Sequence, residues 1–419
     1  MDHRPLDVAA VRNQFPGLLR RHGDQPVVFC DGPAGSQVPA RVAAAMADYL
    51  LHQNANHGGH FATSIATDAM VVEARKAGAD LFGADDPEEV VFGANMTTLT
   101  FHLAHALART WRRGEEIVVT DGDHDANVTP WVRAAQSAGC TVRRIPVRPD
   151  TTLDLEVART LIGPRTRLVA LGAASNLSGT VHPVAACAEL AHRHGALVFV
   201  DAVHYAAHLR MDVRSFDADF VACSAYKFCG PHLGLLWGRR PLLEELEADK
   251  VRPAAAHGAE KWQTGTANFE AITGFLATVQ YLAELGHGNT PAPGSDRRRL
   301  LTAAFHRIAQ HERTLCQRLL QGLVRLPGLR IVGLTDPERA QERCSTVSLT
   351  HPHRTPDQLA RGLAAAGVYA WSGHSYAVAL VEALGLLPDG VLRLGLLHYH
   401  TEAEVDRVVA TLGGLLQGP

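Results

Sequence analysis

Short apolar segments alternate with amphipathic ones between about residues 70 and 290, and this alternation limits the folds open to the chain. Helical stretches, such as 97–110 and 184–195, separate segments that are typical of buried strands. Strands alternating with helices predict βαβ units and a mainly parallel, doubly wound α/β sheet with helices on both faces. Ligands of such sheets bind beyond the carboxyl ends of the strands. Seven strands are predicted: 88–92, 115–120, 141–147, 167–172, 196–201, 219–224 and 233–238.

A Gly- and Pro-rich segment, GHGNTPAPGSD (286–296), interrupts this pattern and predicts the main domain boundary. We therefore assign residues 31–290 to a large domain and 291–419 to a smaller C-terminal α/β domain. The small domain contains a long predicted helix (298–323), a terminal helix (402–417) and three predicted strands. Residues 1–30 are expected to pack on the small domain.

Charge and cysteine content exclude several classes of protein. Forty Lys and Arg against 43 Asp and Glu give a net charge of −3, which does not favour a nucleic-acid partner. The seven cysteines are scattered, so neither a disulfide framework nor a zinc ribbon is predicted, and a reducing compartment is favoured. No apolar run is long enough for a membrane span, and the N-terminus lacks a secretory signal pattern. The sequence predicts a cytoplasmic protein.

The first candidate site is the turn from Gly93 to Thr98, between a predicted strand and a predicted helix. Small and hydroxylic residues at a helix start direct backbone N–H groups and the positive end of the helix toward an anion, usually phosphate. Ala94, Asn95 and Met96 are the predicted contacts. The turn matches neither a Walker A nor a GxGxxG pattern, and an ordinary N-capped helix start is the alternative interpretation.

Two chemically active side chains follow neighbouring predicted strands. Asp201 ends ALVFVD, where a carboxylate faces the ligand crevice or caps a helix. Lys227 follows DFVACS, where it is either a surface residue or an amine activated by its pocket. Together with the phosphate turn, these residues meet the needs of pyridoxal 5′-phosphate (PLP): an anion site, a carboxylate for the pyridine nitrogen and a lysine.

The segments VDAVHYAAH (200–208) and CSAYKFCGPHLG (223–234) carry a family resemblance. The sequence resembles the class V aminotransferases of PLP fold type I, specifically the cysteine desulfurase-like branch. The resemblance extends from FCDGPAGSQVP (29–39) to LRLGLLHYHTEAEVDRVV (392–409). It implies that Lys227 binds PLP covalently and that Asp201 pairs with the pyridine N–H.

The same resemblance assigns further roles. His124 would stack on the cofactor ring as a third catalytic residue, and Arg393 would hold the substrate α-carboxylate. Thr266 would reach the phosphate bound to a neighbouring subunit, which implies a homodimer with shared active sites. The remaining implied PLP contacts are Asn176, His204 (where many desulfurases have Gln), Ser224 and Tyr226.

The sequence departs from the desulfurases at the loop that carries their sulfur-accepting cysteine. Tyr376 stands at or near that position, and no cysteine follows Cys344. Trp371 and His374 in the same loop are candidate substrate contacts with Tyr376. His57 stands where the desulfurases have an Arg-containing stretch, and we assign it to the substrate-facing rim. The closely spaced histidine pairs lack a third ligand at credible spacing, so no metal site is predicted. These pairs are His57 and His60, His351 and His353, and His398 and His400.

A PLP enzyme acting on an amino acid without a cysteine acceptor is most simply a carbon–sulfur β-lyase on an S-substituted cysteine. The same site chemistry also suits an aminotransferase, an epimerase or racemase, or a decarboxylating oxidative deaminase. Related enzymes act in specialised metabolism, including lincosamide-type antibiotic pathways. A non-catalytic protein with a PLP fold is the remaining alternative.

Overall fold

The computed structural model describes residues 5–287 and 296–417. Its strands are β1 (Arg21–His22), β2 (Gln25–Pro26), β3 (Val28–Phe29), β4 (Val90–Gly93), β5 (Glu116–Thr120), β6 (Thr141–Ile145), β7 (Thr166–Gly172), β8 (Leu197–Asp201), β9 (Phe220–Ser224), β10 (Gly234–Gly238), β11 (Arg330–Val332), β12 (Thr346–Thr350), β13 (Val368–Tyr369), β14 (Trp371–Gly373) and β15 (Val391–Gly395). Its α-helices are α1 (Val8–Arg12), α2 (Ala40–Asp48), α3 (Ala62–Phe82), α4 (Met96–Ala108), α5 (Thr129–Ala138), α6 (Leu155–Leu161), α7 (Val184–His192), α8 (Val213–Phe216), α9 (Arg240–Glu245), α10 (Phe269–Leu285), α11 (Arg297–Leu323), α12 (Pro356–Ala365), α13 (Val378–Ala383) and α14 (Glu402–Gln417).

The large sheet has seven strands in the order β4-β10-β9-β8-β7-β5-β6. These are the seven strands predicted from the sequence, with ends that differ by at most two residues. Pairing is parallel except at β10, which is antiparallel to both its neighbours. Residues 225–233 join β9 to β10, and this connection is too short for a helical crossover. The predicted mainly parallel α/β architecture is confirmed.

Helices cover both faces of this sheet, as the continuous apolar strands predict. In β8, Val198 and Val200 belong to one buried cluster, which includes residues of α3 and α10. Phe199 points to the opposite cluster, which includes residues of α4 and α5. In the inner strands β8 and β9 both faces are buried, and the polar side chains Asp201 and Ser224 stand at their carboxyl ends.

A second sheet, of four antiparallel strands in the order β11-β12-β15-β14, is covered by α11, α12 and α14. β14 was not predicted as a strand, because its pairing comes from β15, which is remote in sequence. β3 pairs in parallel with β13, so part of the N-terminal segment lies against this region. The predicted domain limits stay predictions, and the 290/291 boundary lies outside the described residues. No helix in the described ranges has both the length and the apolar character that crossing a bilayer requires.

Candidate active site

A cavity of about 1000 Å³ opens at the carboxyl ends of β5, β7, β8 and β9. The small sheet closes its other side through β14, β15 and the residues that follow β14. Most of the residues predicted from the sequence lie around this one cavity. They are Asn95, Met96, His124, Asn176, Asp201, His204, Ser224, Tyr226, Lys227, Trp371, His374, Tyr376 and Arg393.

Two buried carboxylates line the cavity at the carboxyl ends of β8 and β5, the strands on either side of β7. Asp201 Oδ1 accepts a hydrogen bond from the Val203 N–H at 2.8 Å. Oδ2 of Asp201 has no protein hydrogen-bond partner among the described residues. Burial raises the pKa of Asp201 to about 6, although the Val203 N–H and the nearby Lys227 cation act in the opposite direction. A buried carboxylate with a free oxygen is suited to accept a hydrogen bond from a ligand.

The second carboxylate, Asp123, was missed by the sequence predictions although it lies next to His124. Its two oxygens accept from the Gly172 N–H at 2.6 Å and from Asn127 Nδ2 at 3.2 Å. A Cβ at position 172 would lie 2.6 Å from Asp123 Oδ1, so this contact requires glycine there. Burial, reinforced by Asp201, raises the pKa of Asp123 well above its usual value.

Lys227 ends a turn of 3₁₀ helix (Ala225–Lys227) that directly follows β9. Its Nζ donates to the carbonyl oxygen of Pro33 and lies 4.8 Å from the centre of the Tyr226 ring. Burial and the Arg393 cation lower the pKa of Lys227 to about 7, while Asp201 acts in the opposite direction. A substantial fraction of this amine is therefore neutral, and nucleophilic, near neutral pH.

The predicted phosphate turn lies where α4 begins. Met96 N–H donates to Ser224 Oγ at 3.0 Å, which joins the start of α4 to the end of β9. Asn95 Oδ1 accepts from the Thr98 N–H at 2.8 Å, so Asn95 is also the ordinary helix cap considered above. A side chain at Gly234 would collide with the Asn95 backbone, so the close packing of the turn on β10 depends on this glycine.

The rim of the cavity consists of β14 and the loop that follows it. The Tyr376 ring stacks on His124, with centroids 5.3 Å apart and an angle of 23° between the planes. Two hydrogen bonds, each of 2.8 Å, hold the main chain of the loop. The Asp125 N–H donates to Tyr376 O, and Asn176 Nδ2 donates to Ser375 O. Ser375 and Tyr376 have φ of 49° and 61°, in the left-handed region that non-glycine residues seldom adopt.

Three further side chains from different elements meet at the cavity. Arg393, on β15, is 5 % exposed, and its Nη1 donates to Asn176 O at 2.9 Å. Burial lowers the pKa of Arg393 to about 10, which leaves the guanidinium charged at neutral pH. Burial also lowers the pKa of His124 to about 4 and that of His204 well below its usual value, so both imidazoles are neutral.

Three predicted residues do not line the cavity. Ala94 is exposed in the turn before α4. His57 lines a different cavity, with its ring 6.0 Å from that of Phe269, so this single chain does not place it at the rim to which the sequence assigned it. Thr266 is exposed on a loop outside the cavity, and its predicted contact with a neighbouring subunit stays a prediction.

Two aromatic contributions were also missed. Phe101, on α4, and His232, between Lys227 and β10, both line the cavity. The His232 ring stacks on Tyr226 with centroids 5.0 Å apart and an angle of 17°. A strand-end pattern does not identify them, because neither residue ends a strand. Phe101 could have been predicted from its spacing, because it follows Thr97 by four residues and therefore lies on the same face of α4.

The site fits the PLP that the sequence resemblance implies. The free oxygen of buried Asp201 can accept a hydrogen bond from a pyridine N–H, and Lys227 supplies an amine. Ser224, at the end of β9, lies beside the start of α4, where phosphate is favoured. Asn176 lines the same cavity, and its buried Oδ1 has no hydrogen-bond partner, so a bound ligand could satisfy it. The residues present therefore account for both the charged and the planar parts of this cofactor.

Known proteins resemble this chain along nearly its whole length. The family profile described as aminotransferase class-V matches residues 28–408. A probable cysteine desulfurase of Mycolicibacterium paratuberculosis is 30% identical over 100% of this chain, and the chain spans only 59% of that relative. The aminotransferase-like protein FGM3 of Gibberella zeae is 32% identical, covering 98% of this chain and 99% of the relative. The apo structure of a cysteine desulfurase from Thermococcus onnurineus matches with a TM-score of 0.87 and 27% identity over 100% of both chains.

Proposed function

This chain belongs to the class V aminotransferase family and its cofactor is PLP, and on that premise we propose that it is a carbon–sulfur β-lyase acting on S-substituted cysteines. The overall reaction converts an S-substituted cysteine and water into a thiol, pyruvate and ammonium. The bond between Cβ and sulfur breaks, and sulfur keeps the electron pair and takes up a proton. No external oxidant or reductant is required.

The observation that carries the proposal is the position of the cysteines. All seven lie in the described ranges, and none of them lines the cavity. Cys229, the nearest to Lys227 in sequence, is 1% exposed, and its N–H donates to Ser36 Oγ. The rim instead presents Tyr376, whose phenol cannot form a persulfide. Without a protein thiol to accept sulfur, the displaced sulfur has to leave with the group already attached to it.

When bound, PLP withdraws electrons from the substrate Cα. The protein supplies the remaining functions. Arg393 binds the α-carboxylate through the guanidinium N–H groups that Asn176 O does not occupy. Lys227 Nζ, with its lowered pKa, takes the Cα proton at neutral pH. Asp201 would balance the positive charge of the pyridine nitrogen, and His124, whose imidazole is neutral, would contact the cofactor without adding charge.

The rim favours a substrate with a substituent larger than hydrogen on sulfur. Trp371 and Tyr376 are 54% and 66% exposed, and Phe101 is 39% exposed, at the cavity. Exposed aromatic rings at the mouth of a cavity offer apolar contact area to such a substituent.

The proposed enzyme is a homodimer in which Thr266 reaches the partner's cofactor phosphate. The support is an exposed apolar surface beside Thr266. Phe61 directly precedes α3, and Ile65 and Val72 lie on α3 at spacings that share one helix face; they are 59%, 56% and 49% exposed. Val72 lines the same small cavity as His57, next to the loop that carries Thr266. Exposed apolar side chains on one helix face favour a protein contact there. Sedimentation equilibrium of the PLP-loaded protein should give twice the chain mass, and a monomer would contradict this part.

The decisive experiment identifies products by mass spectrometry. PLP-loaded protein is incubated with S-methylcysteine, S-benzylcysteine and free cysteine, without added keto acid. We expect pyruvate, ammonium and the matching thiol from the S-substituted substrates. Alanine with protein-bound sulfur from free cysteine would instead indicate a desulfurase and overturn the proposal, as would the absence of any keto acid across the panel.

An aminotransferase is the second candidate, since one relative is described as aminotransferase-like. An aminotransferase would convert the amino acid only once in the absence of a keto acid acceptor and would leave the carbon–sulfur bond intact. The amount of thiol released per enzyme molecule therefore separates the two activities. A protein that lacks the visible absorption of bound PLP would exclude both and favour the non-catalytic alternative.

A further inference from the structure

A second cluster of ligand-type side chains adjoins the cofactor cavity, which one of its members, His204, also lines. It contains His204 and His208, which follow β8, and Cys344, which precedes β12. One donor atom from each residue lies within 4.8 Å of the other two, and all three residues are buried. Because the cysteine is remote in sequence from the histidines, the tertiary fold alone assembles the group.

His208 has the hydrogen bonding of a metal-ligating histidine. Its Nδ1 lies 2.6 Å from Glu312 Oε2, and Ser345 Oγ donates to the same carboxylate oxygen at 3.0 Å. A carboxylate partner places the ring proton on Nδ1, which leaves the lone pair on Nε2. His208 is only 2% exposed, and its buried Nε2 atom has no hydrogen-bond partner. A carboxylate that orients a histidine in this way is the usual outer-shell arrangement at zinc.

The charges of the cluster also suit a divalent cation. One thiolate and the Glu312 carboxylate, which is itself 3% exposed, would offset a bound dication, while buried Arg343 next to Cys344 adds one positive charge. Balanced charges reduce the cost of burying each of them.

We propose that His204, His208 and Cys344 form a zinc site that links the large sheet to the small one. Two imidazole nitrogens and one sulfur are typical zinc ligands, and a tetrahedral ion holds its ligand atoms roughly 3.3–3.8 Å apart. The three side chains therefore close by about 1 Å on binding. The fourth ligand is water from an adjoining cavity of about 160 Å³, which is lined by His208, Glu312 and Cys344.

Zinc binding forms one bond to sulfur and two to nitrogen, and it releases the thiol proton to solvent without any redox change. The site goes beyond the proposed β-lyase activity and does not depend on it, because metal binding is measured without substrate. A failed lyase assay therefore leaves this proposal intact, and the converse also holds.

The test is equilibrium dialysis of the full-length, reduced, PLP-loaded protein against zinc chloride, followed by elemental analysis and X-ray absorption spectroscopy. We expect one tightly bound zinc per chain, with one sulfur at about 2.3 Å and nitrogen ligands at about 2.0–2.1 Å. The sulfur signal is essential, because a chain with 23 histidines can bind zinc on its surface without it.

Three variants sharpen the result. Cys344→Ala should remove the sulfur signal and weaken binding at least about 100-fold, and Glu312→Gln should weaken it about tenfold. The matched control is Cys316→Ala, since Cys316 lines the same small cavity but lies outside the cluster. Zinc affinity in that variant should change less than about twofold. Absence of stoichiometric zinc, a spectrum without sulfur, or unchanged binding in Cys344→Ala would each overturn the proposal.

Discussion

The floor and the rim of the cavity are built in different ways. The floor consists of Asp201, Ser224 and Lys227, which end or directly follow buried parallel strands. The rim consists of an edge strand, β14, and a loop whose Ser375 and Tyr376 have left-handed backbone conformations. The floor is set by a regular sheet, whereas cross-domain hydrogen bonds to Asp125 and Asn176 hold the rim. The floor therefore holds the residues that the cofactor needs, whereas the rim holds the residues expected to select the substrate.

The largest effect should come from the floor. Lys227→Ala removes the proposed base and the covalent cofactor contact, so we expect pyruvate formation from S-benzylcysteine to fall about 10³-fold or more. The visible absorption of protein-bound PLP should be lost as well. Lys76→Ala, at a residue whose side chain is 54% exposed, is the control and should behave like the unmodified protein. Activity of Lys227→Ala within tenfold of the unmodified protein would contradict the assignment.

Asp201→Asn tests the charge of the floor while keeping its shape. A neutral amide cannot balance a protonated pyridine nitrogen, so kcat should fall about 10²–10³-fold with a much smaller change in KM. Steady-state kinetics with the spectrum of the bound cofactor give the readout. Asp85→Asn, at a side chain 75% exposed, serves as the control. An equal loss in both variants would argue against a specific role for Asp201.

Arg393→Lys tests the boundary between floor and rim, since Arg393 lies on β15 of the small sheet. Lysine keeps the charge but loses the two-point grip on a carboxylate, so KM should rise about tenfold or more. Arg361→Lys, at a side chain 80% exposed, should leave KM unchanged. A change in kcat alone would place Arg393 elsewhere in the mechanism.

The pH dependence of cofactor loading examines the floor without any substrate. Because the pKa of Lys227 is lowered to about 7, its nucleophilic form is lost as pH falls through 7, instead of through the usual lysine range. The rate of covalent PLP attachment to cofactor-free protein should fall about fivefold from pH 7 to pH 6 and level off above about pH 8. Stopped-flow absorbance measures this rate. A rate that keeps rising tenfold per unit up to pH 10 would contradict the lowered pKa.

The smallest effect should come from the rim. Tyr376→Ala removes an exposed ring that stacks on His124, so KM for S-benzylcysteine should rise about threefold. KM for S-methylcysteine should change less, because that substituent does not reach the ring. Tyr376→Phe keeps the ring and should match the unmodified protein for both substrates. Equal changes for both substrates would assign Tyr376 to loop structure instead of substrate contact.

Sequence reasoning reached the floor because its signals are local. Asp201 and Lys227 each follow an apolar strand, and strand ends of a parallel sheet face one crevice. Asp123 was missed because its role depends on a backbone contact with Gly172. Gly172 ends β7, which neighbours β5 in the sheet but not in the sequence, so no local pattern shows this contact. β14 was missed for a similar reason, since a three-residue edge strand is defined by its partner.

The sequence by itself determined the alternation of strands and helices, the strand-end residues of the floor and the absence of a cysteine at the rim, because each of these is a property of a short segment. Only the tertiary structure decided which residues share a cavity across the two sheets. It stacked Tyr376 on His124, left His57 and Thr266 outside and brought Cys344 beside His204 and His208. The physical reason is that long-range packing, and not local propensity, sets the distance between side chains remote in sequence.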